Sequence, residues 1–256
     1  MDGAIIDLDG TVYRSETVIP GAPEGIAALR AAGLDLVFVT NSSTKTREDC
    51  QARLASLGIE VAVSEILTSA SVTANYVGTT YSNPTVMPIG SPALSEQLRQ
   101  AGIRLTEQPA ETDVLVVGKD TEFDFETLTA GLQALEQGAT FVATNQDRSV
   151  PTATGLKPGS GAVVAAFAYA ANREPDLVCG KPHEPTVEAS LDILSAEAAD
   201  CLVIGDNPET DIELGRRAGI TTVLVLTGLV DRGDPVLEEG LSTHVVESLA
   251  DVQRLI

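Results

Sequence analysis

The chain has 256 residues, 43% of them hydrophobic, and a mean hydropathy of +0.12, which excludes a largely disordered chain. Asp and Glu number 37 against 16 Lys and Arg, a net charge of −21 with an isoelectric point near 4.2, and so strong a negative field excludes binding of nucleic acid through a basic surface and of anionic lipid. An acid-rich chain with lysine only at Lys45, Lys119, Lys157 and Lys181 favours a halophilic source, whose salt would screen the carboxylates, over an acidic mesophilic protein with a chance bias.

Residues 4–8 form an apolar run ending in carboxylates, the pattern of a buried strand. A helix is expected over 20–33, with Pro and Glu early and Gly at its end, then a strand over 34–39 and a helix over 44–57 closed by Gly58. A short strand over 66–68 and a helix over 69–77 follow. The alternation restarts with strands over 85–89, 114–117 and 140–143, helices over 92–101 and 125–137, a Gly/Pro-rich loop over 145–159 and a helix over 161–171. The last stretch gives strands over 177–179, 201–204, 222–226 and 244–246, helices near 186–194 and 209–218, and a terminal helix. Alternating strands and helices predict an α/β fold with parallel sheets, and the number of strands favours two domains over one. No apolar run reaches the ~18 residues of a membrane helix. Three scattered cysteines, Cys50, Cys179 and Cys201, without a Cys-x-x-Cys pair, fit a reducing cytoplasmic compartment.

Four signals lie at the carboxyl ends of predicted strands, where open α/β sheets bind ligands. Asp7-Leu-Asp9-Gly10-Thr11 sets two carboxylates close together, an arrangement that a hard cation such as Mg²⁺ relieves. One of the two could be a nucleophile and the other an acid/base, although an acidic turn after a strand gives the same letters. Thr40-Asn41-Ser42-Ser43 offers hydroxyls and helix N–H groups to a phosphate, or simply caps a helix. Gly180-Lys181-Pro182 places a scarce lysine where it could neutralise phosphate and a carboxylate together, or merely face solvent. Gly205-Asp206 with Asp211 could complete a metal site and brace it, or form an acidic helix start.

The order and spacing of these four signals resemble the haloacid dehalogenase superfamily of aspartate-nucleophile phosphatases. Between them, Val116-Val-Gly-Lys-Asp-Thr-Glu-Phe-Asp-Phe125, Ala143-Thr-Asn-Gln-Asp147, Pro158-Gly-Ser-Gly161 and Ile220-Thr-Thr-Val-Leu-Val-Leu-Thr-Gly228 look like its NagD-type, 4-nitrophenylphosphatase-like branch. The resemblance implies a Rossmann-like doubly wound core over 1–77 and 181–256 and an inserted α/β cap of the second type over 78–180. It implies Asp7 as the nucleophile that forms an aspartyl-phosphate and Asp9 as the acid that becomes the base. Gly10, Thr40, Asn41, Ser42 and Lys181 match the phosphate-holding positions. The Mg²⁺ ligands would be the carboxylates of Asp7 and Asp206 and the main-chain carbonyl of Asp9, with Asp211 in support. Asn207 and Pro208 depart from many NagD-like members, which carry an Arg and an apolar residue there.

The reaction so implied is Mg²⁺-dependent hydrolysis of a small phosphorylated metabolite in the cytoplasm, with no nucleic-acid or membrane partner and with a homodimer formed through the cap. Asp147, Arg148 and Lys157 are candidates for reading the leaving group. His183 is either a substrate contact or a bystander in a turn. The run 155–161 lacks the ending of a P-loop and reads as a helix start. A phosphoacceptor signalling module is the alternative, but it has no acid two residues after its phosphorylated Asp. An idle metabolite-binding protein is the other, against which every catalytic position stands filled.

Overall fold

In the computed structural model, which describes residues 1–152 and 154–256, the apolar run Gly3–Asp7 becomes strand β1, buried along its whole length. Strands covered on both faces read as continuous apolar runs, so β1 and β4 (Asp35–Thr40) were legible. Between them lie two short strands the sequence did not announce, β2 (Tyr13–Arg14) and β3 (Thr17–Val18), paired as an antiparallel hairpin. Helix α1 (Ala22–Ala31) carries Pro in its first turn and buries Ile26 and Leu29, each worth about 2 kcal/mol of transfer free energy. Helix α2 (Arg47–Ser56) and strand β5 (Ile66–Thr68) follow.

Helix α3 (Ser69–Thr80) starts on Thr68, whose hydroxyl accepts the Ser71 N–H at 3.1 Å. Then come β6 (Thr85–Ile89), α4 (Pro92–Gln100), β7 (Arg104–Leu105), β8 (Val114–Val117), α5 (Phe125–Glu136) and β9 (Thr140–Ala143). The expected loop over 145–159 contains an antiparallel hairpin, β10 (Ser149–Thr152) with β11 (Gly155–Pro158), and its Ala153 lies outside the described residues. All of β11 is exposed, so no apolar alternation marked it. Helix α6 (Ser160–Ala171) and β12 (Leu177–Val178) end this stretch.

The remainder supplies α7 (Glu184–Leu194), β13 (Cys201–Gly205), a π-helical turn at Pro208–Ile212, α8 (Glu213–Ala218), β14 (Thr221–Val225) and β15 (His244–Val246). The expected terminal helix is a 3₁₀ run, Leu249–Arg254, lying against α1. Among the described residues no helix is long and apolar enough to cross a membrane.

The chain divides into two compact units, Met1–Thr40 with Glu48–Leu67 and Lys181–Ile256, and Asn41–Arg47 with Thr68–Gly180. The first holds a six-stranded sheet of order β15-β14-β13-β1-β4-β5, in which β15, β14, β13, β1 and β4 pair in parallel. The second holds a five-stranded parallel sheet, β12-β9-β8-β6-β7, and a core in which Phe167 packs between Phe123 and Phe141 at 5.7 and 6.4 Å. This division differs from the boundary expected between residues 77 and 78. Helix α3 packs on α4 and buries Ala70, Val72, Ala74 and Val77, which gives it to the second unit.

Candidate active site

Strand order reverses direction about β1, with β13 on one side and β4 on the other. Because these strands are parallel, their carboxyl ends share one edge, and the chain leaves the sheet there on both sides of the switch point. Asp7 is the last residue of β1, Thr40 the last of β4, and Asp206 follows the end of β13. All three are buried.

Lys181 donates to Asp7 Oδ1 at 2.5 Å and to Asp211 Oδ1 at 2.6 Å, with its side chain 4% exposed. Asp211 reaches back because the π-helical turn carries it over Gly205; its other oxygen accepts the Asn207 N–H at 3.1 Å. A Cβ on Gly205 would sit 2.3 Å from Asp211 Oδ2, so only glycine fits there. Asp206 Oδ2 accepts the Leu229 N–H at 2.9 Å. Gly10, at φ +94°, and Gly228 face the same carboxylate, and a Cβ on either would come within 2.4 or 1.7 Å of Asp206 Oδ2. Thr227 Oγ1 donates to the Gly10 carbonyl at 2.7 Å, and Arg14 to the Thr227 carbonyl, so the 227–229 segment joins the turn after β1 to Asp206.

Oxygens of Asp7, Asp206 and Asp211 lie within 4.8 Å of one another. One buried ammonium faces these carboxylates, so negative charge is left over. Burial raises the Asp7 pKa well above the carboxylate range; Lys181 opposes this, and Asp211 and Asp206 add to it. Burial, with Asp211, pushes Asp206 up to about 7. Burial works against the Lys181 ammonium, but Asp211 and Asp7 outweigh it and hold that pKa above the lysine range. Asp7 Oδ2 is buried and accepts no hydrogen bond among the described residues. An orphaned anionic oxygen inside a hard-oxygen cluster fits a divalent cation such as Mg²⁺.

The structure thus brings Asp7, Lys181, Asp206 and Asp211 together, with Gly10 packed on Asp206. It leaves the exposed Asp9 carboxylate outside the three-carboxylate cluster. Asn41 and Ser42 belong to the second unit. There Asn41 Nδ2 donates to Asp147 Oδ1 at 3.2 Å, while Arg148 and Lys157 are exposed. His183 is half-buried, and burial with the Arg217 charge lowers its pKa. Sequence reasoning placed Gly205 in the fourth signal without a role and missed Gly228 and the Leu229 amide as site residues; all three shape the site through backbone. It also missed Thr11, whose fully buried hydroxyl has no hydrogen-bond partner among the described residues, although Thr11 stands in the first motif.

The family model described as haloacid dehalogenase-like hydrolase matches residues 4–104, and a second, of HAD-hydrolase-like proteins, matches 178–252. The sugar-phosphatase AraL of Bacillus subtilis is 36% identical over 255 residues, 99% of this chain and 92% of that protein. The p-nitrophenyl phosphatase of Archaeoglobus fulgidus superposes with a TM-score of 0.95 at 37% identity, covering 100% of this chain and 99% of that one. A glycerol phosphate phosphatase from Mycobacterium tuberculosis, solved in complex with magnesium, superposes at 0.88 with 30% identity, covering 97% of this chain and 75% of that one. The chain therefore belongs to the haloacid dehalogenase-like hydrolases and, within them, to the NagD-like phosphatases.

Proposed function

We propose that the protein hydrolyses a small phosphomonoester through an aspartyl-phosphate on Asp7, with Mg²⁺ as cofactor. The observation that carries this reading is the Asp7 carboxylate, buried, held at Oδ1 by Lys181 and, among the described residues, without a hydrogen-bond partner at Oδ2. The carboxylates of Asp7 and Asp206 and the main-chain carbonyl of Asp9 would hold Mg²⁺, with Asp211 in support. When bound, the ion offsets the negative charge of the carboxylates and of the substrate phosphate.

Asp7 attacks phosphorus in line, forming an O–P bond as the bond to the leaving oxygen breaks. Asp9 donates its proton to the departing alkoxide; its exposure on a turn suits a group that must exchange protons. Asp9, now a carboxylate, takes a proton from water as the water oxygen attacks phosphorus. The Asp7 O–P bond breaks, and phosphate leaves. Lys181 fixes the rotamer of Asp7 and in turn is fixed by Asp211, a pairing that orients the nucleophile before substrate arrives. Gly10, Thr40, Asn41 and Ser42 complete the phosphate-holding set in this reading, and residues 78–180 act as the cap. A homodimer through the cap, a cytoplasmic location and a salt-adapted surface belong to the same proposal. The three cysteines, buried and outside any disulfide among the described residues, support a reducing compartment. The sugar-phosphatase and glycerol phosphate phosphatase relatives support a small polyol or sugar phosphate as substrate.

Phosphate release from a panel of phosphomonoesters with Mg²⁺ tests the reading. Turnover should vanish with EDTA and return with Mg²⁺. Asp7→Asn should abolish release while leaving the circular-dichroism spectrum unchanged. Near-normal turnover in that variant, or activity that survives metal stripping, would refute the mechanism. A phosphoenzyme that persists for minutes without multiple turnover would instead favour a signalling module.

A further inference from the structure

The turn after β9 uses a glycine pattern and a carboxylate that the mechanism above leaves out. Thr144 and Asn145 are buried there, Gln146 is exposed, and Asp147 is half-buried. Asp147 accepts the Asn41 side-chain amide on Oδ1 at 3.2 Å and that of Asn145 on Oδ2 at 2.8 Å. Asn145 Oδ1 in turn accepts the Thr144 hydroxyl at 2.9 Å. Both oxygens of this carboxylate are engaged by amides of its own unit.

The 159–161 run explains how the turn is held. The Gly161 N–H donates to the Asp147 carbonyl at 3.0 Å, and the Gly159 N–H to the Arg148 carbonyl at 3.0 Å. A Cβ on Gly159 would lie 2.0 Å from the Asp147 carbonyl oxygen, and one on Gly161 would lie 2.4 Å from that of Gln146. These glycines let the start of α6 close over the Asp147 turn, a role no phosphate loop is needed to explain.

Asn41 is held on its other side too. A Cβ on Gly180 would be 2.7 Å from Asn41 Oδ1, so only glycine lets that amide lie where it does. Beyond it, the Ser69 hydroxyl donates to the Asn41 carbonyl at 3.0 Å, and the Ser91 hydroxyl to the Ser43 carbonyl at 2.8 Å. Ser43 Oγ accepts the Lys119 N–H at 3.0 Å and meets Ser160 Oγ at 3.3 Å. The segment that directly follows Thr40 is thus held at Asn41 and Ser43 by side chains and backbone of the second unit.

We propose that Asp147 is a positioning residue for the phosphate end of the reaction. By holding the Asn41 and Asn145 amides it fixes the turn after Thr40, and it does not read the leaving group. This rests on the phosphatase reading above. A charge-assisted amide bond is a strong orienting contact, and misplacing a phosphate-holding turn by about 1 Å costs up to about 100-fold in rate.

Asp147→Asn keeps the shape but offers one oxygen to two amide donors. The expected result is a loss of about 10- to 100-fold in kcat/KM that is uniform across phosphomonoesters with unrelated leaving groups. Product inhibition by inorganic phosphate should weaken in parallel, and the melting temperature should move by only a few degrees. In the double variant with Asn41→Ala, the losses should not multiply, because both substitutions break one contact. Asn145→Ala, which removes one of the two bonds, should give a smaller uniform loss and serves if Asp147→Asn does not fold. Losses that depend on the leaving group, unimpaired activity, or losses that multiply with Asn41→Ala would each overturn the assignment and leave the phosphatase reading intact. A wild-type protein that neither releases nor binds phosphate in the presence of Mg²⁺ would overturn both.

Discussion

Replacing Asp206 by Asn should stabilise the metal-free protein while destroying its activity. The Asp206 carboxyl, ordinarily at 3.8, is pushed up to about 7 by burial and by Asp211. Over that interval the native state binds a proton that the unfolded chain does not. Stability therefore falls as pH rises from about 4 to about 7, and the full cost stands above that window. Holding the carboxyl at about 7 instead of 3.8 costs about 4 kcal/mol at pH 8, and about 2 kcal/mol at pH 5, where the native carboxyl is still mostly protonated. Asparagine is neutral throughout, and its Oδ1 can still accept the Leu229 N–H. Urea unfolding of the EDTA-treated proteins, followed by far-UV circular dichroism at about pH 5, 6.5 and 8, reads the difference away from the isoelectric point near 4.2. The variant should lead by up to about 4 kcal/mol at the alkaline end, and its lead should roughly halve at the acid end. Mg²⁺ should narrow the gap by stabilising the wild type alone, by about 3 kcal/mol at 100 times its dissociation constant. A variant no more stable than wild type at pH 8, or a lead independent of pH, would show that the carboxylates do not strain this site.

Other substitutions probe the same site through shape. Gly228→Ala would place a methyl group 1.7 Å from Asp206 Oδ2, so it should lower kcat/KM by at least about 100-fold and weaken Mg²⁺ binding measured by calorimetry; activity within a factor of about 3 would refute the packing argument. Cys179, fully buried with its thiol pushed up to about 12 chiefly by burial, should resist iodoacetamide at pH 8 in the folded protein and react in urea, as mass spectrometry would show; rapid labelling of native protein would contradict its burial. With a net charge of −21, the melting temperature should rise steadily as KCl is added toward molar concentration, and a flat or falling curve would remove the case for a salt-adapted surface.

Much of the first unit was legible because physics writes it locally. A parallel strand buried on both faces must be an apolar run, and its functional residue must come as the run ends, so Asp7, Thr40 and Asp206 stood out at strand tips. What stayed hidden depends on geometry that letters do not encode. The reach of Asp211 to Lys181 needs the extra residue of a π-helical turn, and nothing in Pro208–Ile212 distinguishes that turn from an ordinary helix start. Gly228 is one of 22 glycines, and only the proximity of Asp206 makes it irreplaceable. The β2–β3 hairpin is too short and too polar to show alternation. Thr40 and Asn41 are adjacent in one motif yet belong to different units, a division set by hydrogen bonds to residues as distant in sequence as Asp147.

That division matters to anyone recombining these enzymes. The second unit is assembled from two stretches of chain, Asn41–Arg47 and Thr68–Gly180, and the short one is seated by Ser69, Ser91, Lys119, Asp147 and Ser160. A chimaera that exchanges only residues 78–180 would cut α3 three residues before its end and hand the 41–47 segment a foreign set of partners. Grafts with junctions ahead of Thr68 and after Gly180, carrying the donor's own 41–47 segment, keep each of those bonds within material that evolved together. Modular exchange in this protein is therefore a matter of four splice points chosen by hydrogen bonding, not of one insertion lifted out whole.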